Sequence, residues 1–368
     1  QRLSLFSLRN QHETVTIEGM GIFEEEYGRL NKAQRKAVDT TEGPVLVIAG
    51  PGTGKTQLLG MRVANILQQN DVSPGNVLCL TFTDNAARNM RDRLSTIIGQ
   101  SAYHVAIHTF HSFGADIINQ YPDYFTDRQL LQQVDELGRY ELLHDIFEGL
   151  PHSNPLSVKV GEDYIFLRDT LSTISWLKQN ALSPDELREV ITNNQEFIEA
   201  TSKELAETFA ATASPKLLPN YEKFLKSIQK QATGKRYFGF PEYATEAANE
   251  LQKAIEETSA DGRYAKPITA WRNAWCKKDG DGKYVYKDAG ASLRKLQAVA
   301  DAYETLLASM AAKGLYDFDD MVVEAVHAME NDDELRFNLQ ERYQYILVDE
   351  FQDVNWAQYV LVKLLAEH

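Results

Sequence analysis

A glycine-rich segment near the start of the chain has the composition of a phosphate-binding loop. It follows the apolar run Pro44–Ile48 and precedes a helical pattern that starts at Gln57. Glycines let several backbone N–H groups point at one anion, and the N-terminus of the next helix adds positive potential. In such a loop the lysine reaches the β- and γ-phosphates of a nucleoside triphosphate, and the following hydroxyl ligates Mg²⁺. The segment predicts an ATP·Mg²⁺ site formed by Gly50, Pro51, Gly52, Thr53, Gly54, Lys55 and Thr56, preceded by Ala49 where a glycine is usual; the alternative is an ordinary tight turn.

A second segment, far downstream, ends in two carboxylates. The apolar run Tyr345–Val348 is followed directly by Asp349 and Glu350. A buried strand that ends in this way presents a magnesium ligand and a base for water in enzymes with a phosphate-binding loop. We therefore predict that Asp349 holds Mg²⁺ and that Glu350 orients or deprotonates the attacking water. With Lys55 they form the predicted catalytic set, although an acidic strand end without such a loop is often only a solvated terminus.

Composition and charge limit the classes of protein that fit. The chain has 368 residues, of which 43% are hydrophobic and 25% are charged, which suits two or three globular domains. No apolar run approaches the roughly 18 residues of a membrane span. Cys79 and Cys276 are far apart and in no metal-binding spacing, which predicts a reducing, cytoplasmic location. The net charge of −15 argues mildly against a protein that coats nucleic acid.

One stretch departs from the acidic average. Residues 215–295 contain 16 basic and 10 acidic side chains, and the segment 235–287 interleaves its cations with Phe, Tyr and Trp. Cations beside stacking platforms are typical of nucleic-acid contacts. The alternative is a solvated basic face over a small aromatic core.

The pattern of elements places an insertion between the two candidate motifs. Alternating strands and helices are predicted from about 30 to 120, with strands at Pro44–Ile48, Asn76–Phe82 and Val105–Thr109, and again near 316–368. Between them the apolar spacing is helical. We predict an arm at 1–26 with a short strand at Thr14–Ile17, a discontinuous domain at 27–122 and 312–368, and a mainly helical insert at 123–311.

Within the insert the sequence predicts several helices and one hairpin. Ser183-Pro184-Asp185-Glu186 has the composition of a helix start, and Asp279-Gly280-Asp281-Gly282 lies between two strand-like runs. A calcium loop is disfavoured because later acidic ligands are missing. The predicted helices are Arg128–Glu148, Pro184–Ile198, Ser202–Ala213, Tyr221–Lys230 and Ala289–Ala312.

Several further motifs complete a recognisable series. In chain order they are Leu30-Asn31-Lys32-Ala33-Gln34, Thr81-Phe82-Thr83-Asp84-Asn85-Ala86-Ala87, Thr109-Phe110-His111-Ser112, Tyr316-Asp317-Phe318-Asp319-Asp320-Met321 and Asp349-Glu350-Phe351-Gln352-Asp353. Together with the glycine-rich loop they resemble the UvrD/Rep helicases of superfamily 1, which are DNA translocases driven by ATP. The resemblance covers about 27–122 and 312–368, and the insert resembles the family only in its place and helical character.

The resemblance implies roles for further residues at the nucleotide. The carboxamide of Gln34 would read the adenine edge, for which it has both a donor and an acceptor. Gln57 and Gln352 would also lie at the nucleotide. Family members often carry an arginine at the position of Gln57, where it stacks on adenine.

Other residues are implied to contact DNA. Phe82 would stack on single-stranded DNA, and Thr83, Thr109 and His111 would contact its backbone. The alternatives are a core role for Phe82 and a structural hydrogen bond for His111.

The resemblance also implies a fold and an activity. The expected fold is α/β, a RecA-like P-loop NTPase core with a parallel sheet and a large, mostly α-helical inserted domain. The expected activity is that of an ATP-dependent DNA helicase moving 3′ to 5′ on single-stranded DNA, with duplex DNA as a further partner. A second RecA-like motor domain is expected C-terminal to this chain. The alternatives are a nucleotide-gated DNA-binding module without motor activity and an unrelated P-loop ATPase.

Overall fold

The computed structural model describes residues 20–50, 52–70, 72–125, 132–237, 240–262 and 264–367. The chain divides into two compact units. The first unit contains the residues up to Thr126 together with Glu324–His368, and the second unit is Asp127–Val323. The predicted strand at Thr14–Ile17, the loop residue Pro51 and the start of the helix predicted from Arg128 lie outside the described residues.

The described residues form fifteen α-helices and eleven short strands. The first segment contains α1 (Met20–Arg29), α2 (Lys32–Asp39), α3 (Lys55–Gln69), β1 (Val77–Thr81), α4 (Asp84–Ile98), β2 (Ala106–Thr109) and α5 (Phe110–Gln120). Next come β3 (Gln132–Gln133), α6 (Glu136–Glu148), β4 (Lys159–Val160), β5 (Asp163–Tyr164), α7 (Leu167–Gln179), α8 (Pro184–Thr208), α9 (Leu218–Gln231), β6 (Arg236–Tyr237), β7 (Phe240–Pro241), α10 (Tyr243–Asp261), α11 (Lys266–Trp275), β8 (Cys276–Lys278), β9 (Tyr284–Tyr286), α12 (Ala291–Ala312) and β10 (Leu315–Tyr316). The last segment contains α13 (Asp320–Asn331), α14 (Asp333–Arg342), β11 (Tyr345–Val348) and α15 (Trp356–Ala366).

A parallel sheet in the order β11-β1-β2 organises the first unit. All five residues of β1 are buried, as expected for the central strand of a parallel sheet that is covered on its faces. The core around it includes Met61, Val63, Ile66, Cys79, Leu94 and Leu347. Burial of each such aliphatic side chain contributes roughly 1.5–3 kcal/mol. The prediction of a mixed α/β fold with a parallel sheet is therefore confirmed.

The strand predicted at Pro44–Ile48 is wrong for this structure. Residues 44–50 form no regular element, and Leu46 and Ile48 are 75% and 91% exposed. An apolar β-branched run becomes a strand only where a neighbouring strand accepts its backbone hydrogen bonds, and none is paired with it among the described residues. The predicted strands at Asn76–Phe82 and Val105–Thr109 are present as β1 and β2.

The described part of the second unit is mainly helical and contains two hydrophobic cores. One is formed by α6, α7, the start of α8 and α12, and includes Leu143, Phe147 and Leu306. The other is formed by the end of α8, α9, α10, α11 and the β8–β9 hairpin, and its largest members are Phe209, Tyr221, Phe224, Trp271 and Tyr286. The rings at its centre stack, with Phe209 and Trp271 5.6 Å apart.

Most helix predictions in this unit are correct, but two of them describe one helix. The segments predicted at Pro184–Ile198 and Ser202–Ala213 are joined in α8, which is 25 residues long. Its start is as predicted, because Ser183 forms a capping box with Glu186. The predicted hairpin around Asp279 is also present as β8 and β9. No described helix is long and apolar enough to cross a membrane.

A buried ionic cluster fixes the segment that precedes α13. The Lys178 ammonium lies 2.8 Å from Asp317 Oδ2 and 2.6 Å from Asp320 Oδ1, and its side chain is only 1% exposed. Arg139 Nη1 adds a contact of 3.1 Å to the same Asp317 oxygen. Burial alone lowers the pKa of Lys178, but the carboxylates of Asp320 and Asp317 outweigh it, so that the pKa is raised. The cluster therefore holds a charged lysine inside the second unit.

Candidate nucleotide and nucleic-acid site

The glycine-rich loop turns directly into α3. Gly52 and Gly54 adopt positive φ values of 75° and 84°, a conformation that side chains disfavour. Gly54 is the N-cap residue, so α3 starts at Lys55. The Thr53 hydroxyl donates to the Gly50 carbonyl at 2.7 Å and closes the turn. The loop thus presents backbone N–H groups at the N-terminus of a 15-residue helix, which is where an anion is favoured.

The loop and the acidic strand end meet. Lys55 Nζ lies 3.5 Å from Glu350 Oε2, with the two side chains 28% and 40% exposed. Asp349 is buried, and its Oδ1 accepts a hydrogen bond from the Glu350 backbone N–H at 3.0 Å. Thr56, next to Lys55, is half-buried. Hydroxyl and carboxylate oxygens are ligands of the kind that Mg²⁺ prefers, so the side chains of Thr56 and Asp349 have the donor chemistry that this ion takes.

The two neighbouring carboxylates have opposite electrostatic environments. Burial raises the pKa of Asp349, and the charge of Glu350 adds to this. The pKa of Glu350 is lowered, first by the hydrogen bond that Gln352 Nε2 donates at 2.6 Å and then by the Lys55 ammonium. Glu350 also has a positive φ of 49°, which is uncommon for a residue with a side chain and indicates a constrained strand end. Glu350 is therefore an ionised acceptor at neutral pH.

Two glutamines predicted at the nucleotide make contacts within the first unit. Gln34 Oε1 accepts from the Asn31 backbone N–H at 2.9 Å, and Gln34 Nε2 donates to the Thr53 carbonyl at 3.2 Å. Gln34 thus ties the start of α2 to the glycine-rich loop. Gln57 Nε2 donates to Glu26 Oε2 of α1 at 2.9 Å. Sequence reasoning gave no role to Glu26, because nothing in the sequence links it to a residue so far downstream.

The residues predicted to contact DNA lie at one edge of the sheet. β11, β1 and β2 are parallel, with Leu80 opposite Val348 and Thr81 opposite Thr109, so their carboxyl ends lie side by side. Phe82 directly follows β1 and is 50% exposed. The structure therefore contradicts the alternative in which Phe82 is a core residue.

The two threonines at this edge cap helices. Thr83 Oγ1 accepts from the Ala86 backbone N–H at 3.1 Å at the start of α4. Thr109 is buried, and its Oγ1 accepts from the Ser112 backbone N–H at 3.2 Å at the start of α5. Each hydroxyl thus has a structural role that the sequence-based prediction did not include.

His111 lies in the first turn of α5 and is half-buried. Burial lowers the pKa of its imidazole from 6.5 to about 4, although the nearby Asp84 opposes this shift. The ring is therefore neutral at physiological pH. A neutral ring can donate or accept a hydrogen bond, but it brings no positive charge to a phosphate.

Phe318, in the second unit, is exposed for a reason that the sequence does not show. The Asp317 backbone N–H donates to Asp320 Oδ2 at 2.9 Å, and the Asp320 backbone N–H donates to Asp317 Oδ1 at 3.0 Å. These two buried aspartates flank Phe318, which remains 52% exposed. Sequence reasoning left this aromatic residue out of the site.

Most aromatic side chains of the basic stretch whose burial the structure describes belong to the core. Trp271 and Tyr286 are buried, and Tyr243, Trp275 and Tyr284 are half-buried against them. Trp271 and Trp275 stack on each other at 6.1 Å. For these residues the structure favours the aromatic core over the stacking platform. The cations around them, in contrast, remain on the surface.

Comparison with known proteins assigns the family. The model of the UvrD/REP helicase N-terminal domain matches residues 30–257 and 220–368. The ATP-dependent DNA helicases PcrA of Staphylococcus aureus (strain Mu50) and Staphylococcus epidermidis (strain RP62A) are each 26% identical to the chain over 337 residues. These alignments cover 92% of the chain and 31% of each helicase. The chain thus belongs to a family of helicase domains. More specifically, this chain belongs to the UvrD/REP helicase N-terminal domain family, and it spans about a third of the length of the curated relatives it matches.

Proposed function

We propose that the first unit is the RecA-like ATP-binding motor domain of an ATP-dependent DNA helicase and that the second unit is its inserted domain. The observation that carries this proposal is the 3.5 Å approach of Lys55 in the glycine-rich loop to Glu350 at the end of β11. It joins a phosphate-binding loop and a water-activating carboxylate in one site. Membership of the UvrD/REP family supports the same assignment.

Each group at this site has a proposed role in ATP hydrolysis. The backbone of Gly52, Thr53 and Gly54 cradles the phosphates, and Lys55 neutralises charge on the β- and γ-phosphates. Thr56 and Asp349 would hold Mg²⁺, which would supply positive charge against the negative charge that develops on the phosphate. Glu350 orients the water that attacks the γ-phosphate in line and accepts its proton. Gln352 keeps this base ionised through the hydrogen bond at 2.6 Å.

Further residues are proposed to hold the base and the DNA. Gln34 lies beside the loop. Its side-chain amide is proposed to hydrogen-bond the adenine edge after it releases the Thr53 carbonyl. Gln57 is proposed at the nucleotide as well. Phe82 is proposed to stack on single-stranded DNA, because it is exposed at the carboxyl edge of the sheet. Thr83, Thr109 and His111 are proposed to lie beside the DNA backbone.

The site is proposed to be completed by a second RecA-like motor domain. In comparable phosphoryl-transfer enzymes, arginines from another element contribute roughly 10³–10⁵ in rate. The chain spans 31% of its PcrA relatives, and such arginines are expected in the remainder of the full-length protein. Movement is proposed to run 3′ to 5′ along single-stranded DNA.

Replacement of Glu350 by glutamine tests the proposed chemistry. In the full-length protein, Glu350→Gln keeps the shape of the side chain but removes the base, so nucleotide binding and hydrolysis separate. We expect near wild-type affinity for a fluorescent ATP analogue and a loss of steady-state ATP turnover. Glu341→Gln, an exposed glutamate of the same unit, is the matched control. Near wild-type turnover by Glu350→Gln would show that another group activates the water.

Comparison of the 368-residue chain with the full-length protein tests the two-domain site. The chain alone is expected to bind nucleotide but to show little ATPase stimulation by a single-stranded oligonucleotide and no strand separation. If the chain alone hydrolysed ATP as fast as the full-length protein, the site would be complete within one motor domain. If neither hydrolysed ATP, the nucleotide-gated binding module would be the better assignment.

A further inference from the structure

A helix that precedes the family match brings an acidic side chain to the nucleotide site. The matched region begins at residue 30, whereas Glu26 belongs to α1. Glu26 Oε2 accepts the hydrogen bond that Gln57 Nε2 donates at 2.9 Å. Gln57 lies two residues after Lys55, in the first turn of α3. The proposed function gives no role to Glu26.

The position of Glu26 is fixed by the packing of α1 and by an ion pair. The rings of Phe23 and Tyr27 stack at 5.8 Å and pack against the core of the first unit. The Tyr27 hydroxyl also donates to a carboxylate of α2 at 2.8 Å. Arg29 Nη1 pairs with Glu26 Oε1, so both oxygens of this carboxylate are engaged, one by Arg29 and one by Gln57.

The Glu26 carboxylate determines which end of the Gln57 amide faces it. A carboxylate only accepts hydrogen bonds, so it faces the NH₂ end of the amide, and Oε1 is turned away from it. Among the described residues, no donor is paired with Gln57 Oε1. The half-buried side chain of Gln57 therefore offers an oriented acceptor beside the glycine-rich loop.

A glutamine can provide a contact here that the arginine common in the family cannot. Arginine has five donors and no acceptor, whereas the amide oxygen of glutamine accepts. Adenine carries an amino group at C6, which donates, and guanine carries a carbonyl oxygen there, which accepts. An amide oxygen held toward the base therefore favours adenine. With guanine it would oppose two acceptors and leave both unpaired.

We propose that Glu26 fixes the Gln57 amide so that Oε1 accepts a hydrogen bond from the adenine amino group, which selects adenine over guanine nucleotides. Glu26 is a positioning residue, because it acts through Gln57. The inference rests on the proposed function, which takes Gln57 to lie at the nucleotide. It adds a contact to the one proposed for Gln34, which reaches the loop from α2.

Replacement of Glu26 by glutamine tests this selection. A carboxamide donates as well as accepts, so in Glu26→Gln the Gln57 amide is free to turn and to offer its NH₂ group to guanine. Competition of ATP and of GTP against an ATP analogue labelled on the ribose gives the ratio of their affinities in the full-length protein. The net effect of one hydrogen bond corresponds to roughly 2- to 10-fold in affinity, so the preference for ATP should fall by about that factor.

Two further variants separate positioning from charge and from folding. Glu24→Gln removes an exposed carboxylate from the same helix and should leave the ratio unchanged. The exchanged pair, Glu26→Gln with Gln57→Glu, keeps the net charge and again places an acceptor at position 57 opposite a donor, so it should restore the preference for ATP. A purely structural Glu26 would instead lower the melting temperature of Glu26→Gln without changing the ratio, and this result would contradict the proposal.

Purine riboside triphosphate, which has hydrogen in place of the amino group, tests the contact in the wild-type protein. It should bind roughly 2- to 10-fold more weakly than ATP to the wild type, and this difference should shrink in Glu26→Gln. Equal binding of the two nucleotides by the wild type would contradict the inference, and so would an unchanged ATP:GTP ratio in Glu26→Gln. Lys55→Ala should weaken ATP and GTP alike. A wild-type protein that bound neither would contradict the proposed function itself, so the two failures are distinguishable.

Discussion

At the carboxyl edge of the β11-β1-β2 sheet, Phe82 keeps half of its surface exposed and Lys55 lies within reach of Glu350. In the second unit, Trp271 is buried in an aromatic core and Lys178 is buried between two aspartates. The same residue types are thus available to ligands in one region and used for packing in the other. A parallel sheet ends all its strands at one edge, so polar and aromatic residues that follow the strands meet solvent together. Helices that pack around a core offer no such common edge.

The largest expected effect concerns the buried cation of the second unit. Lys178→Met leaves Asp317 and Asp320 buried without their main counter-charge, which should cost roughly 3–5 kcal/mol of the free energy of unfolding. Chemical denaturation measures this. Lys363→Met removes an exposed lysine paired with Glu367 at 3.2 Å and should cost about 0–1 kcal/mol. Equal losses in the two variants would mean that the ionic cluster contributes no more than a surface pair.

The corresponding change in the first unit should affect binding rather than folding. Lys55→Ala removes a charge-assisted contact to phosphate, worth roughly 1.5–3 kcal/mol, which corresponds to about 10- to 100-fold weaker nucleotide binding. Titration with a fluorescent ATP analogue measures the change. Arg93→Ala, which removes an exposed charge from α4, is the control and should bind normally. If Lys55→Ala bound the nucleotide with unaltered affinity, the glycine-rich loop would not be part of the nucleotide site.

Phe82 is exposed and Phe113 is buried, so alanine variants of these two residues of the first unit separate a binding role from a packing role. Phe82→Ala should weaken single-stranded DNA binding by roughly 1–3 kcal/mol, because one stacked base is lost, and should leave thermal stability nearly unchanged. Phe113→Ala empties a fully buried position and should instead destabilise the fold by roughly 3–5 kcal/mol. Oligonucleotide binding and thermal melting of both variants give the comparison. A large loss of stability in Phe82→Ala would show that the ring contributes to the hydrophobic core.

The smallest expected effect is the pH dependence associated with His111. Its pKa is lowered by burial from 6.5 to about 4, so between these values the unfolded chain binds a proton that the folded chain does not. The free energy of unfolding should therefore fall as the pH drops from about 6.5 toward about 4. His111→Asn should show a smaller fall across that window in urea denaturation. His104 is an exposed histidine of the same unit, and the control variant His104→Asn should show the same fall in unfolding free energy as the wild type. If His111→Asn also showed the wild-type fall, the prediction for the buried imidazole would be wrong.

Local features of the sequence determined much of this molecule. Ser183 precedes α8 and caps it, Gly54 adopts the positive φ that starts α3, and the Asp-Gly turn joins β8 to β9. These features need only neighbours a few residues away, so spacing and residue type suffice to predict them. The motif series also sufficed to name the family, which the match to residues 30–257 and 220–368 confirms.

Tertiary structure decided the features that depend on distant partners. The run Pro44–Ile48 has the composition of a strand but forms none, because a strand exists only through a neighbour. The lysine at 178 and the aspartates at 317 and 320 carry no sign of their pairing in the sequence. Likewise, nothing local distinguishes the ring of Phe318, which is exposed, from that of Trp271, which is buried. Exposure and pairing are properties of packed surfaces, and only the folded chain brings those surfaces together.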